Sequence, residues 1–148
     1  VVQKAMIELD FQIKKADGKI KVGSLPEIEA HPFQIQQVFI NLIGNALKFR
    51  KKEEPPLISI QSENYKYTDG RPGFVISIED NGLGFDQKNV EKVFMPLFRL
   101  VRNSEREGSG MGLTICKRII EHHDGTIHIE SSLGKGTTFF ITLPANRS

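Results

Sequence analysis

The stretch 32–50 constrains this chain more than any other. Ile35, Val38, Phe39, Leu42, Ile43, Ala46 and Phe49 recur at i, i+3, i+4 and i+7. That spacing predicts one amphipathic helix with its apolar stripe turned to a core. Pro32 suits the first helical position, where a missing N–H costs nothing. Lys51-Lys52-Glu53-Glu54-Pro55-Pro56 then ends the pattern as a solvated loop. Such a helix must be covered by other elements, and the remaining sequence supplies them.

Ile20-Lys21-Val22 and Glu27-Ile28-Glu29-Ala30, around Pro26, are short strand candidates. Leu57–Lys66 and Gly73–Asp80 read as a hairpin with Asp69-Gly70 near its turn. Gln87–Val93 is a short helix candidate, and Phe94–Gly110 is irregular, polar and glycine-bearing. Residues 112–123 read as a second helix with Ile115, Cys116, Ile119 and Ile120 on its buried side. Asp124-Gly125 leads into the strand Thr126–Ser131. Gly134-Lys135-Gly136 leads into Thr137–Leu143, where Phe139, Ile141 and Leu143 alternate inward. Residues 1–16 carry two readings: Met6, Leu9, Ile13 and Ala16 fit a helix, while Ile7, Leu9, Phe11 and Ile13 also alternate. The whole predicts a two-layer α/β sandwich, a mixed and mostly antiparallel sheet with helices packed on one face.

A chain of 148 residues fits one domain with one sizeable core. Its net charge of +2 provides no broad basic field for nucleic acid or an anionic membrane. The single Cys116 excludes an internal disulfide. No apolar run approaches the roughly 20 residues of a membrane-spanning helix, and no signal peptide is visible. The chain opens Val-Val-Gln-Lys without Met, which reads as a piece of a longer protein whose anchor or sensor would lie elsewhere.

Three elements carry chemistry. Asn41, Asn45 and Lys48, at i, i+4 and i+7, share a second face of the long helix, and Gln37 extends it one turn earlier. Asparagine is a poor residue for a helix interior, so two of them a turn apart suggest a task. An amide oxygen can coordinate Mg²⁺, and a lysine can meet phosphate. A solvated polar face would show the same spacing. Asp80 shares strand parity with Phe74, Ile76 and Ile78, which puts a carboxylate at the inner end of a strand. Buried there, it needs donors, and the exocyclic amino group of adenine is one. Gly82 and Gly84 let the backbone turn closely around a flat ligand, although Asp, Asn and Gly also make plain turns. Gly108, Gly110 and Gly112 precede a helix, so loop amides and the helix N-terminus could bind phosphates. The spacing is neither a dinucleotide fingerprint nor a P-loop, and a flexible linker is the plain alternative.

In this order the elements resemble the nucleotide-binding domain of sensor histidine kinases, within the superfamily of gyrase-type, chaperone-type and mismatch-repair ATPases. Asn41–Phe49 resembles the N box and Asp80–Gly84 the G1 box. Phe94-Met95-Pro96-Leu97-Phe98 resembles the F box and Gly108–Leu113 the G2 box. The tail from Gly125-Thr126-Ile127 to Leu143-Pro144 is similar to the family's closing hairpin. The resemblance spans roughly residues 20–144 and is closest to kinases of the phytochrome and PAS-linked kind. It implies a Bergerat-type ATP-binding fold with ATP and Mg²⁺ as cofactors. By position, Asn45 would bind Mg²⁺ with Asn41 in support, and Lys48 would contact phosphates. Asp80 would take the adenine amino group, with Gly82 and Gly84 shaping that wall. Arg99 would reach the phosphates during transfer. Gly108, Gly110, Gly112 and Leu113 would belong to the loop around the triphosphate, anchored by Phe94 and Phe98. The 99–111 loop would order around nucleotide.

At the position of Asn41 the superfamily's ATPases carry a water-activating glutamate, and an amide lacks that basicity. The resemblance therefore implies a protein-histidine kinase that holds ATP and passes its γ-phosphoryl to a histidine on another domain. None of the four histidines here has the phosphoacceptor context. His31 reads as a weak helix cap, His122-His123 as a helix C-terminus that favours protonation, and His128 as an outward strand residue. Residues 1–16 would link to the absent dimerisation and phosphoacceptor hairpin, and residues 17–148 would form the ATP-binding domain. A response regulator would act downstream, in the cytoplasm, with no nucleic-acid partner and no direct membrane contact. The alternatives are a hydrolytic ATPase of the superfamily, an ATP-gated interaction module and a serine kinase of the anti-sigma type. His31, Leu97 and Asp124 depart from the usual pattern, which has Asp, Phe and Gly there.

Overall fold

The computed structural model describes residues 1–26, 30–89 and 112–145. In chain order the elements are α1 (Val2–Glu8), α2 (Asp10–Lys15), β1 (Lys19–Val22), α3 (Pro32–Lys48), β2 (Leu57–Lys66) and β3 (Pro72–Asp80). A 3₁₀ turn (Gln87–Asn89), α4 (Gly112–His122), β4 (Thr126–Ser132) and β5 (Gly136–Pro144) follow. The five strands form one sheet in the order β1-β2-β3-β5-β4. β1 pairs with β2 in parallel, and the other neighbours are antiparallel. The helices lie on one side of the sheet, so the expected two-layer sandwich is the architecture found.

The alternation of strand residues decides which face meets the helices. One inward row is wholly apolar, with Ile60, Ile78, Phe139 and Ile129 side by side across β2, β3, β5 and β4. All four are buried, as are Ile76 and Ile141 in an adjoining row. On these rows sits the apolar stripe of α3: Ile35, Val38, Phe39, Leu42, Ile43, Ala46 and Leu47 are buried. Each such aliphatic side chain stabilises the fold by about 1.5–3 kcal/mol relative to exposure. Phe49, expected in the stripe, is instead the C-cap and half-buried.

The segment 1–16 forms the two short helices α1 and α2 and no strand, which settles its two readings. Val2, Ala5 and Leu9 reach the common core at helical spacing, while Ile7 and Phe11 are exposed. In α4 the buried residues are Thr114, Cys116 and Ile120, with Ile119 partly buried. Ile115 is 40% exposed, contrary to expectation. One helical step turns a residue by about 100°, so Ile115 lies off the Cys116–Ile120–His123 line that faces α3. Of the helix expected at Gln87–Val93, the described part is the 3₁₀ turn, and the rest lies outside the described residues. The strand candidate at Glu27–Ala30 also falls largely outside them.

Candidate functional site

The sheet's inner face changes character one row along from its apolar centre. Here Ile58 pairs with Asp80, Asp80 with Thr137 and Thr137 with Ser131. The same alternation that buries Ile76 and Ile78 therefore carries three polar side chains to the end of the helix-covered face. Asp80 Oδ1 accepts from the Gly82 backbone N–H at 2.8 Å, and the carboxylate also accepts from the Thr137 N–H. Burial outweighs these donors and pushes the Asp80 carboxyl up to about 6, with neighbouring Glu79 adding to the rise. The Ser131 hydroxyl accepts from Phe85 N–H at 2.8 Å and lies 3.0 Å from the Gly136 carbonyl. Its single proton goes to that carbonyl, so Thr137 donates in the 2.8 Å Ser131–Thr137 contact.

Asp80 and Thr137 line a cavity that Asn45 also lines. Its walls are apolar: Ala46 and Phe49 from the end of α3, Leu83 and Phe85, Leu113 of α4, and Phe139 of β5. A flat ligand with one polar edge fits such a slot. The segment after Asp80 is fixed from two sides. Leu83 N–H donates to the Phe49 carbonyl at 2.9 Å, and Gly134 N–H donates to the Leu83 carbonyl at 2.7 Å. Gly84 has φ 66° and presses against the β4–β5 turn, where a Cβ would meet the Ser132 carbonyl at 2.2 Å. No side chain fits there.

Asn81 serves the neighbouring loop. Its Oδ1 accepts from Leu57 N–H at 2.8 Å and its Nδ2 donates to the Pro55 carbonyl at 3.2 Å, tying the start of β2 to the end of β3. The C-terminus of α3 is closed by Arg50, whose Nη1 donates to the Leu47 carbonyl at 2.7 Å.

The structure thus brings together Asn45, Asp80, Gly84 and Leu113 of the expected set. Asn41 and Lys48 stand outside the cavity lining. Lys48 is half-buried in the last turn of α3, and Asn41 bonds to Gln37 and to the Gly112 carbonyl. Gly82 sits where a Cβ would lie 2.8 Å from the Phe49 carbonyl and 2.9 Å from Asp80 Oδ1. Phe94, Phe98, Arg99, Gly108 and Gly110, with the 99–111 loop, lie outside the described residues. Thr137, Ser131, Phe49 and Phe139 were not singled out as site residues, although Thr137 shares the inward parity of Phe139, Ile141 and Leu143.

His31, His122 and His123 sit together at the other end of α3. His31 is the N-cap residue, but its side chain makes no capping hydrogen bond. Its backbone N–H instead donates to Nε2 of His123 at 3.0 Å. His123 is 1% exposed, and its Nδ1 lies 2.8 Å from the Ile119 carbonyl. The two bonds require a neutral ring with the proton on Nδ1. The helix dipole favours charge here, but at His123 the His31 N–H occupies the Nε2 lone pair. His128 is exposed on β4, as its parity predicts.

Comparison with known proteins fits this geometry. Residues 30–147 match the family described as histidine kinase-, DNA gyrase B-, and HSP90-like ATPases. Over 144 residues the chain is 40% identical to the phytochrome-like protein Cph1 of Synechocystis sp. (strain ATCC 27184 / PCC 6803 / Kazusa), covering 97% of this chain and 18% of that protein. The chain thus spans about a fifth of that relative's length. The catalytic domain of histidine kinase ThkA superposes with a TM-score of 0.76 at 28% identity, covering 98% of this chain and 90% of that one. Full-length ShkA, solved in complex with AMPPNP, shares the fold with a TM-score of 0.77 at 21% identity, covering 99% of this chain and 30% of that one.

Proposed function

The chain belongs to the histidine kinase-, DNA gyrase B- and HSP90-like ATPase family, and on that premise we propose that it binds ATP with Mg²⁺ as the catalytic domain of a two-component sensor histidine kinase. The observation that carries the reading is the largely desolvated Asp80 carboxylate in the lining of an apolar slot that Asn45 also lines. The slot accepts a purine ring between Phe49, Leu83, Leu113 and Phe139. Asp80, held by Gly82 and Thr137, keeps acceptor capacity for an exocyclic amino group. Guanine presents a carbonyl where adenine presents that amino group, and the carboxylate would repel it.

The Asn45 amide oxygen suits a hard cation. Among the described residues no group of three or more His, Cys, Asp or Glu could hold a metal. A cation at Asn45 would therefore rely on phosphate oxygens and water for its other ligands. When bound, Mg²⁺ supplies charge neutralisation on the phosphates. Lys48 adds positive charge one turn along, and Arg99 would contact the γ-phosphoryl. Asn41 offers no base to activate water, which favours transfer over hydrolysis. The γ-phosphorus–oxygen bond to ADP breaks as a bond forms to a histidine nitrogen on a separate domain. Residues 1–16 would connect to that domain, although Val2, Ala5 and Leu9 pack in the same core as α3. A response regulator would take the phosphoryl group next, in the cytoplasm. No helix of the described residues is long and apolar enough to cross a membrane.

The test is phosphoryl transfer between separate domains. Labelled ATP, Mg²⁺, this chain and a histidine-hairpin domain should yield a labelled hairpin. Asn45→Asp and Asp80→Asn should each abolish labelling. Label that persists in both variants, or multiple-turnover phosphate release by this chain alone, would overturn the reading.

A further inference from the structure

Polar contacts join α3 and α4 near both ends of α4, and those nearer the cavity involve a residue outside the cavity's lining. Asn41 lies one turn before Asn45. Its Nδ2 donates to the carbonyl of Gly112, the first residue of α4, at 3.4 Å, and its Oδ1 accepts from Nε2 of Gln37 at 3.1 Å. The Asn41 side chain also hydrogen-bonds the buried thiol of Cys116, one turn into α4. That thiol lies 3.9 Å from the Val38 carbonyl of α3, which it can reach as a donor. The amide therefore has a defined polarity. A donor, Gln37 Nε2, faces its oxygen, and an acceptor, the Gly112 carbonyl, faces its nitrogen. Turned over, it would set oxygen against oxygen at Gly112 and nitrogen against nitrogen at Gln37.

We infer that Asn41 is a positioning residue: with its amide polarity set by the Gly112 carbonyl and matched by Gln37, it latches the first turn of α4 to α3. This fixes where the N-terminal amides of α4 point relative to Asn45 and the cavity. First-turn N–H groups of a helix have no partners within it and favour an anion. Their direction decides how well a polyphosphate leaving the cavity is received. The inference rests on the nucleotide reading above and sharpens it at one residue: the Asn41 amide acts on the protein rather than on the metal ion.

Asn41→Asp separates the two roles because they predict opposite signs. A carboxylate adds charge for a cation, but it cannot donate to the Gly112 carbonyl and is repelled by it. As a positioning residue, Asn41→Asp weakens AMPPNP–Mg²⁺ binding about tenfold, the equivalent of about 1.4 kcal/mol. Adenosine binding stays within about twofold of the unaltered chain, the change of one lost neutral contact or less. Amide hydrogen exchange at residues 113–116 speeds up in the nucleotide-free protein, while that of β3 and β5 is unchanged. Gln37→Glu, at an exposed position outside the cavity, draws Nδ2 away from Gly112 and reproduces both effects at smaller size. Either of two results would overturn the inference: tighter Mg²⁺ dependence in Asn41→Asp, or unaltered exchange at 113–116 in both variants. Loss of adenosine binding to the same degree as AMPPNP would overturn it as well. If the unaltered chain fails to bind AMPPNP, the nucleotide reading falls, and the exchange comparison still judges the latch on its own.

Discussion

At the scale of single residues, Asp80 concentrates the conflict between stability and binding. Burial opposes its charge and pushes its carboxyl up to about 6, above the ordinary carboxylate range. Because the folded value is the higher one, the native state binds the extra proton between about pH 4 and 6. Stability from this group is therefore greatest at low pH and is lost as pH rises through 6. Adenine recognition by Asp80, as proposed, would run the other way, since it would need the ionised acceptor. ATP affinity should fall as pH drops from 7 to 5, measured by titration calorimetry, while the unliganded protein does not lose stability through Asp80. Asp80→Asn keeps an oxygen for Gly82 and removes the charge. It should raise unfolding stability by ~1–3 kcal/mol in urea melts and eliminate ATP binding. Asp80 was legible in the sequence because it shares parity with two buried isoleucines. Thr137 carries the same signal on β5, but threonine is an ordinary strand residue and drew no notice. The partners of Asn41 could not be read at all, because Gly112 is brought to it only by the packing of α4 on α3.

At the scale of elements, α4 is fastened to α3 at both ends, by Asn41 near its start and by His123 at its finish. The His123 bond replaces the missing side-chain cap of α3 by lending an acceptor to the His31 N–H. His123→Ala removes the acceptor of that part-buried bond and a buried ring. A loss of about 2–4 kcal/mol is expected by chemical denaturation, with ATP affinity within about twofold because the site lies at the other end of α3. Immediately beyond, Asp124 takes the left-handed conformation at φ 62°, and Gly125 N–H returns to the Ile120 carbonyl at 2.9 Å. Asp124→Gly should therefore stabilise the chain by about 0.5–1 kcal/mol in the same melts. The boundaries of α3, β2 and β3 were readable because long periodic runs leave few choices. The mistaken burial of Ile115 came from treating four apolar residues of a short helix as one face.

For the molecule as a whole, composition and element order sufficed for a two-layer sandwich with a mixed sheet. The strand order did not follow from them, because the parallel pairing of β1 with β2 depends on contacts across the whole of α3. Nucleotide should act on this assembly as one cooperative unit. At a hundredfold excess over Kd, ATP–Mg²⁺ should raise the unfolding free energy by about 2.7 kcal/mol, seen as a higher Tm that Asp80→Asn abolishes. The sheet also meets its surroundings at β4, an outer strand. There Gln87 lies alongside the strand, donating to the Ile129 carbonyl at 3.0 Å and accepting from Ser131 N–H at 2.8 Å. One side-chain amide thus fills the rung that another polypeptide would need for edge-to-edge polymerisation.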